Sequence, residues 1–466
     1  MSRRFELLVL ATFALIGLSQ VGLLVLGVEP VNNENRTLAE APDLDAGRLL
    51  DETMYAQLGD FLVDRTPARS WAAGVDGAID YDLLGDSPSP EIVVGDDGWL
   101  FLVLALSTPC YGAAEVELVA SDVEYTAALL AMTGRDFSFL VAPTKPGIYP
   151  AQLGRHESRA DCLLANRAAF AALRAEGRLP MWVDPAEELI AGKGDLVYFP
   201  QDSHWNQLGA MRATEVLVES MDPGAWRGVA EERAAPYQHE GDLTRFLGSV
   251  SSATTDDWTL VPTIGAVYGP ENEDLGGETA IRRYVATAPL TGREQTLFVH
   301  DSFGWASQEF LVPFAARTVT SRNLRVDDAA LTPILLESDT VVVEFADRAL
   351  LPRTRGEGLS TWFAGALASE LPSTSLGVAD GDDGLRITVP AQDALARYLI
   401  VVSSAAEPAT IEVGALEAAG TRQLSSERPV AAWRLDRADE FELVLDGVPA
   451  GAELRLVAIT ADDLVR

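Results

Sequence analysis

The apolar positions of this chain follow three different rhythms. From Leu7 to Leu26 they run almost unbroken, interrupted only by small residues and by Ser19-Gln20. A helix of that length, at about 1.5 Å per residue, spans about 30 Å, the hydrocarbon thickness of a bilayer. From about residue 118 the rhythm alternates between helical and extended. Asp122 to Met132 reads as helix and ends at Thr133-Gly134; Phe137-Ser138-Phe139-Leu140-Val141 reads as a buried strand leading into Ala142-Pro143-Thr144-Lys145-Pro146. Helices follow at about Arg159–Glu176 and Asn206–Met221, with Asn206 as N-cap. Strands are predicted at Pro180–Val183, Thr296–Val299 and Thr340–Phe345, and a further helix runs from just past Ser302 to about Ala316. Strands alternating with helices predict a parallel sheet covered on both faces. Ahead of this region, Asp51–Asp82 has a helical stripe broken at Pro67, and Glu91–Phe101 holds two apolar runs around an Asp-Gly turn, a hairpin signal. Residues 225–290 are short and turn-rich, as in Trp258–Val261 and Ile281–Val285, and read as an insertion. From Leu385 on, helical periodicity is absent. Six short strands, near 385–389, 398–402, 410–413, 431–435, 441–445 and 454–458, predict a small β-sandwich. The organisation expected is an α/β chain: anchor at 1–28, α/β domain at 29–355 with the insertion at 225–290, and β-sandwich-like domain at 380–466.

Charge and cysteines add the surroundings. Arg3 and Arg4 precede the apolar run, whereas Glu29, Glu34 and Glu40 follow it. The positive-inside rule then places the N-terminus in the cytoplasm and everything after Val28 outside. A cleaved signal peptide is the other possibility, but Leu26-Gly27-Val28-Glu29 offers no clear cleavage site, so an uncleaved transmembrane anchor is expected. In an oxidising space Cys110 and Cys162 can form one disulfide; two unpaired buried thiols are the alternative. A net charge of −35 over 466 residues argues against a nucleic-acid partner, which needs a basic footprint.

Candidate chemistry sits in two stretches, Tyr198–Asn206 and Val299–Gly304. Ser302 follows an apolar strand at the start of a turn, and Asp202 and His204 lie two residues apart before a helix. A hydroxyl, a base and an acid that fixes the base's tautomer are what serine-dependent acyl transfer requires. His300 is a competing base, although its place on a strand favours packing. Asp202, His204, His239, His300 and Asp301 match no compact ligand spacing, so no metal is expected, nor any cofactor. Trp205 and Phe303 are candidate pocket walls, and Lys145 either lines the cleft or anchors its loop. His156 and His239 read as surface or structural residues, and Glu344 with Arg348 as a structural pair.

These residues, in this order, resemble the alginate O-acetyltransferase AlgJ/AlgX family. The resemblance rests on Glu34-Asn35-Arg36, Val94–Phe101, Ala142–Pro146 through Tyr149-Pro150, Asp202–Asn206, Gly241-Asp242-Leu243, Asp301–Gly304, and Val343-Glu344 with Arg348. It implies an SGNH-hydrolase-like fold with Ser302 as nucleophile, His204 as general base and Asp202 as its orienting partner. It also implies acetyl transfer to hydroxyls of an exported polysaccharide, with a membrane-bound O-acyltransferase as acetyl donor. The serine comes last, as in this permuted family and unlike common SGNH hydrolases. The C-terminal strands do not match the family's carbohydrate-binding module. The expectation is therefore a single-pass protein of the cell membrane whose catalytic domain faces the periplasm or cell surface. A glycan acetyl esterase with the same triad, and a non-catalytic glycan-binding or assembly protein, remain as alternatives.

Overall fold

The computed structural model describes residues 39, 52–65, 81, 85–227, 229–233, 237–247, 252–255, 258–261, 267–271, 281–322, 328–354, 358–376, 378–381, 384–391, 394–403, 409–414, 422–424, 429–435, 440–449 and 451–464. The expected anchor, the Glu34-Asn35-Arg36 stretch and the break at Pro67 lie outside these residues. No helix among the described residues is long and apolar enough to cross a membrane.

The central element is a seven-stranded sheet in the order Trp182–Val183, Asp136–Ala142, Thr340–Ala346, Arg293–His300, Ala315–Ser321, Ile281–Ala286, Val267–Glu271. The first five strands are mutually parallel, and each of the last two pairs antiparallel with the strand before it. The purely parallel sheet expected from the pattern is thus corrected to a mixed one. Its antiparallel edge comes from the segment read as an insertion, whose final strand pairs Ile281 with Ser321 and Arg282 with Thr320. The predicted helix from Ser302 to Ala316 is also corrected. It stops at Leu311, and after a short turn at Val312–Phe314 the chain enters the strand Ala315–Ser321. Pro313 ends the helix, and the β-branched run Thr318-Val319-Thr320 favours the extended form.

Every residue of Thr340–Ala346 is buried, as a strand covered on both faces requires. Val341, Val343 and Phe345 face a core shared with helices Ala113–Met132 and Leu359–Ala366, whereas Val342 and Ala346 face a second core with Gln207–Met221 and Gly304–Leu311. Each fully buried Val or Phe contributes about 1.5–3 kcal/mol relative to exposure, so these two cores hold the sheet from both faces.

The C-terminal strands form a four-stranded and a five-stranded antiparallel sheet. Alternation along Phe441–Asp446 turns Leu443 and Leu445 into the core between them and leaves Glu442 and Asp446 exposed. The outer face of the four-stranded sheet, through Tyr398, Ile400 and Val457, joins the core under helix Leu359–Ala366. Asp122 helps fix that helix: its fully buried carboxylate accepts from the amides of Leu359 (2.8 Å) and Ser360 (3.1 Å). Ordinary N-caps come from the preceding residue; here the acceptor comes from another helix.

Cys110 and Cys162 are bonded, tying the segment before helix Ala113–Met132 to helix Asp161–Ala175. Closing a loop of this separation restricts the unfolded chain by about 4 kcal/mol in the chain-entropy account. Replacing both cysteines by alanine should lower unfolding free energy by about that amount. Chemical denaturation of the oxidised protein and the double variant measures it, and equal midpoints would contradict the account.

Candidate active site

The site assembles at the carboxyl ends of the parallel strands, where open α/β sheets place their ligands. Strand Arg293–His300 delivers Asp301 and Ser302; strand Asp136–Ala142 delivers Lys145; strand Thr340–Ala346 delivers Asp347 and Arg348. Asp202 and His204 arrive on the loop before helix Gln207–Met221. That loop is closed by an isolated bridge between Tyr198 and Trp205, and by Asn206, whose side chain caps the helix through the Gly209 amide at 2.9 Å.

Ser302 Oγ lies 2.8 Å from His204 Nε2, and His204 Nδ1 lies 2.8 Å from Asp202 Oδ1. An ionised carboxylate can only accept, so His204 carries its proton on Nδ1 and turns the bare Nε2 towards the serine hydroxyl. Asp202 Oδ1 also accepts the His204 amide at 2.9 Å. Its Oδ2 accepts from His239 Nε2 at 2.9 Å and from the Asp242 amide at 3.0 Å. Burial works to raise the Asp202 pKa, yet the hydrogen bonds from His204 and His239 outweigh it and hold the carboxyl well below the ordinary carboxylate range. Sequence reasoning missed His239 and Asp242 as parts of this site. Gly241 was the available signal: a Cβ there would sit 2.1 Å from the Gln201 carbonyl oxygen, so this turn must press against the catalytic loop without a side chain.

Lys145, Trp205 and Phe303, the expected substrate-binding residues, are instead buried to 1%, 1% and 0% exposure, and none opens to a ligand. Trp205 Nε1 donates to the Phe303 carbonyl at 3.0 Å, and the Phe303 ring stands edge-on 5.0 Å from that of His204. The two aromatics support the imidazole from beneath. Lys145 Nζ donates to the carbonyls of Phe199 (3.1 Å), Pro200 (2.8 Å) and Asp202 (2.6 Å). Three ammonium hydrogens meet three carbonyls of the loop that carries Asp202 and His204. Burial pushes the Lys145 pKa down to about 7, with Asp202 and Asp242 pulling it back up.

The turn that carries Ser302 has its own brace. Asp301 accepts the Phe303 amide on Oδ1 at 2.9 Å and the Ala346 amide on Oδ2 at 2.8 Å, tying the turn to the neighbouring strand. His300 is not a second base. It is buried, its Nδ1 lies 2.7 Å from the Asp301 carbonyl oxygen, and burial lowers its pKa to about 4. Gly304 is required beneath it, since a Cβ would lie 2.3 Å from the His300 ring. The expected Glu344–Arg348 pair is corrected: Arg348 lies over the Phe303 ring at 5.5 Å, and Asp347 takes the ion pair at this rim, with Arg167 at 3.5 Å. Glu344 is fully buried, and burial together with the Asp301 charge pushes its pKa well above the ordinary carboxyl range.

Asp202, His204 and Asp242 place ligand-type atoms within 4.8 Å of one another. These atoms are already committed: Asp202 to four donors, His204 to Asp202 and Ser302, and Asp242 to the Ser203 amide and hydroxyl, both at 2.7 Å. A cation there would have to break the hydrogen bond that orients the imidazole.

Two outcomes are expected from this geometry. Lys145→Met withdraws the ammonium from three carbonyls; those of Pro200 and Phe199 keep the Leu100 and Asp202 amides, at 2.9 and 3.4 Å, and that of Asp202 is left bare, so the fold should be destabilised by about 2 kcal/mol, read from urea unfolding; a variant as stable as wild type would refute the cage. For Glu344 the folded pKa lies above the unfolded one, so its contribution is complete below the ordinary carboxyl range and is lost as pH rises through the folded value. Between these limits the slope is about 1.4 kcal/mol per pH unit. Glu344→Gln should flatten the fall in stability towards alkaline pH, which denaturant midpoints from pH 5 to 9 would reveal.

Residues 92–266 match the family described as SGNH hydrolase-like domain, acetyltransferase AlgX. The match includes Asp202, His204, His239 and Asp242 and ends before Ser302. The chain is 29% identical over 204 residues to a probable alginate O-acetylase AlgJ of Pseudomonas aeruginosa, covering 40% of this chain and 47% of that protein. It is 30% identical over 207 residues to the probable alginate O-acetylase AlgJ of Pseudomonas putida, covering 42% and 50%. The chain thus spans about half the length of the curated relatives it matches. Among solved structures it is similar to AlgX of Pseudomonas aeruginosa, with a TM-score of 0.45 and 17% identity over 79% of this chain and 94% of that one. It is also similar to the O-acetyltransferase domain of Pseudomonas putida AlgJ, with a TM-score of 0.38 and 19% identity over 60% and 100%. Residues 92–266 are thus similar to the SGNH hydrolase-like domain of acetyltransferase AlgX, and about two fifths of the chain is similar to probable alginate O-acetylases AlgJ.

Proposed function

We propose that this chain is a serine-dependent O-acetyltransferase that moves acetyl groups to hydroxyls of an exported or cell-surface polysaccharide. The observation that carries the reading is the unbroken hydrogen-bond chain Ser302–His204–Asp202. The related proteins' printed description as probable alginate O-acetylases supports the acetyl group and the polysaccharide acceptor.

In this reading His204 Nε2 takes the Ser302 proton as Oγ attacks the acetyl carbonyl of the donor. The tetrahedral oxyanion collapses, the bond to the donor oxygen breaks, and the imidazolium returns its proton to that oxygen. An acceptor hydroxyl then attacks acetyl-Ser302, gives its proton to Nε2, and leaves as the ester while Ser302 is restored. Asp202 stabilises the imidazolium in both halves. The Phe303 amide is taken by Asp301, so the oxyanion falls to the Ser302 amide and the first turn of helix Gly304–Leu311. The reading keeps the protein outside the cytoplasm, anchored by Leu7–Leu26, and takes acetyl from a membrane-bound O-acyltransferase. The apolar run, the flanking charges and the Cys110–Cys162 bond support that compartment.

The test is release of a chromogenic acetyl ester by the full-length chain beside Ser302→Ala and His204→Ala, with and without a soluble acidic oligosaccharide. Wild-type turnover should fall at least about 10³-fold in either variant, and acetylated oligosaccharide should accumulate only with wild type. Release to water alone, with no acetylated sugar, would make the protein an esterase; equal release by all three would remove the triad.

A further inference from the structure

We infer that His239 is a positioning residue, a fourth member of the catalytic chain that decides which carboxylate orients His204. The inference rests on the acyl-transfer reading above. Two acids converge on the Nδ1 edge of that imidazole. Asp202 Oδ1 is at 2.8 Å, and Asp242 Oδ2 is at 3.7 Å, with Ser203 Oγ between them at 3.2 Å from Nδ1. Asp242 is engaged by the Ser203 amide and hydroxyl. If Asp202 turned away, Ser203 and Asp242 would be left as partners for Nδ1, and the imidazole plane would tilt away from Ser302.

What prevents this rotation is the far oxygen of Asp202. Its two protein donors are the Asp242 amide at 3.0 Å and His239 Nε2 at 2.9 Å. The Asp242 amide belongs to the turn that carries the competing acid, so it cannot by itself favour one carboxylate over the other. His239 supplies an independent hold. Asp202 is ionised and only accepts, so His239 donates through Nε2–H. Its ring is stacked on Phe199 at 3.7 Å between centroids and 14° between planes. Phe199 in turn gives its carbonyl to Lys145. The donor is therefore fixed in direction by the same loop that it orients, and the order His239–Asp202–His204–Ser302 is continuous at 2.8–2.9 Å throughout.

Two variants of the full-length chain separate this role from mere packing. His239→Phe keeps a flat ring over Phe199 but has no donor; His239→Gln keeps an N–H on a side chain of similar reach. With the chromogenic acetyl ester, His239→Phe should lower kcat by about tenfold to a hundredfold with KM within about twofold, the range seen when an outer partner of an oriented histidine is lost. His239→Gln should recover most of kcat. In an Asp202→Ala background His239→Phe should cost nothing further, because its effect passes through Asp202. Wild-type kcat in His239→Phe, a loss in His239→Gln as large as in His239→Phe, or an equal loss in the Asp202→Ala background would each overturn the inference. Ser302→Ala, run alongside, tells the two failures apart. If it is inactive while His239→Phe is unaffected, only the role of His239 falls; if it is fully active, the acyl-transfer reading falls and this inference with it.

Discussion

A carboxylate that is nearly buried and still ionised needs its lone pairs filled, and Asp202 is where this structure meets that demand. Four donors reach it: the ring and amide of His204, the ring of His239 and the amide of Asp242. Hydrogen bonds to a charged acceptor are roughly twice as strong as neutral ones, and an unfilled lone pair at this depth would cost more than each bond gains. The four donors come from two stretches distant in sequence, so the catalytic loop and the 237–247 segment must be in contact before the acid can exist in its working form. Gly241, pressed on the Gln201 carbonyl, is the steric expression of the same requirement.

The charge of Asp202 has a counterpart below it. Lys145 is fully buried and points all three of its bonds at backbone carbonyls of the loop, with no direct carboxylate contact. Its field reaches Asp202 through the loop. An ammonium bonded to carbonyls fixes a backbone path, which a salt bridge to Asp202 itself would not do, and it leaves both carboxylate oxygens for the histidines. The arrangement explains why one of two lysines in the whole sequence stands at this point. Arginine's planar fork cannot direct three donors into so compact a cage.

Much of this was legible in the residues. The buried strands Asp136–Ala142 and Thr340–Ala346 announce themselves as apolar runs, and the serine past Arg293–His300 lies where an α/β sheet keeps its chemistry. The hydrogen bonds among Ser302, His204 and Asp202 follow the expectation. What stayed hidden was whatever depends on tertiary approach. His239 sits in a turn-rich segment with no periodicity, 37 residues from the acid it touches, so nothing local marks it. Trp205 and Phe303, beside His204 and Ser302, look like pocket walls, and Lys145 reads equally as cleft lining or loop anchor; burial, which the local pattern does not reveal, makes all three supports. The helix expected past Ser302 overruns into the first residues of strand Ala315–Ser321 because Ala315 and Ala316 suit either state.

The sheet permits the chain order in which Asp202 and His204 precede Ser302. Strands Asp136–Ala142, Trp182–Val183, Arg293–His300, Ala315–Ser321 and Thr340–Ala346 run parallel, so every loop that leaves a carboxyl end opens on one rim. A loop anchored at that rim by any means can supply a catalytic group, whatever its position in sequence. Here the anchors are Lys145 from one strand end and Asp301 from another, and they hold the two halves of the site independently. The nucleophile turn is fixed to the neighbouring strand through the Ala346 amide, and the base is fixed to the loop through Asp202. The 2.8 Å contact between Ser302 and His204 bridges them, and beside it the Trp205 indole donates to the Phe303 carbonyl at 3.0 Å. In the proposed mechanism the proton therefore passes between two braced turns that the Trp205–Phe303 hydrogen bond also ties together.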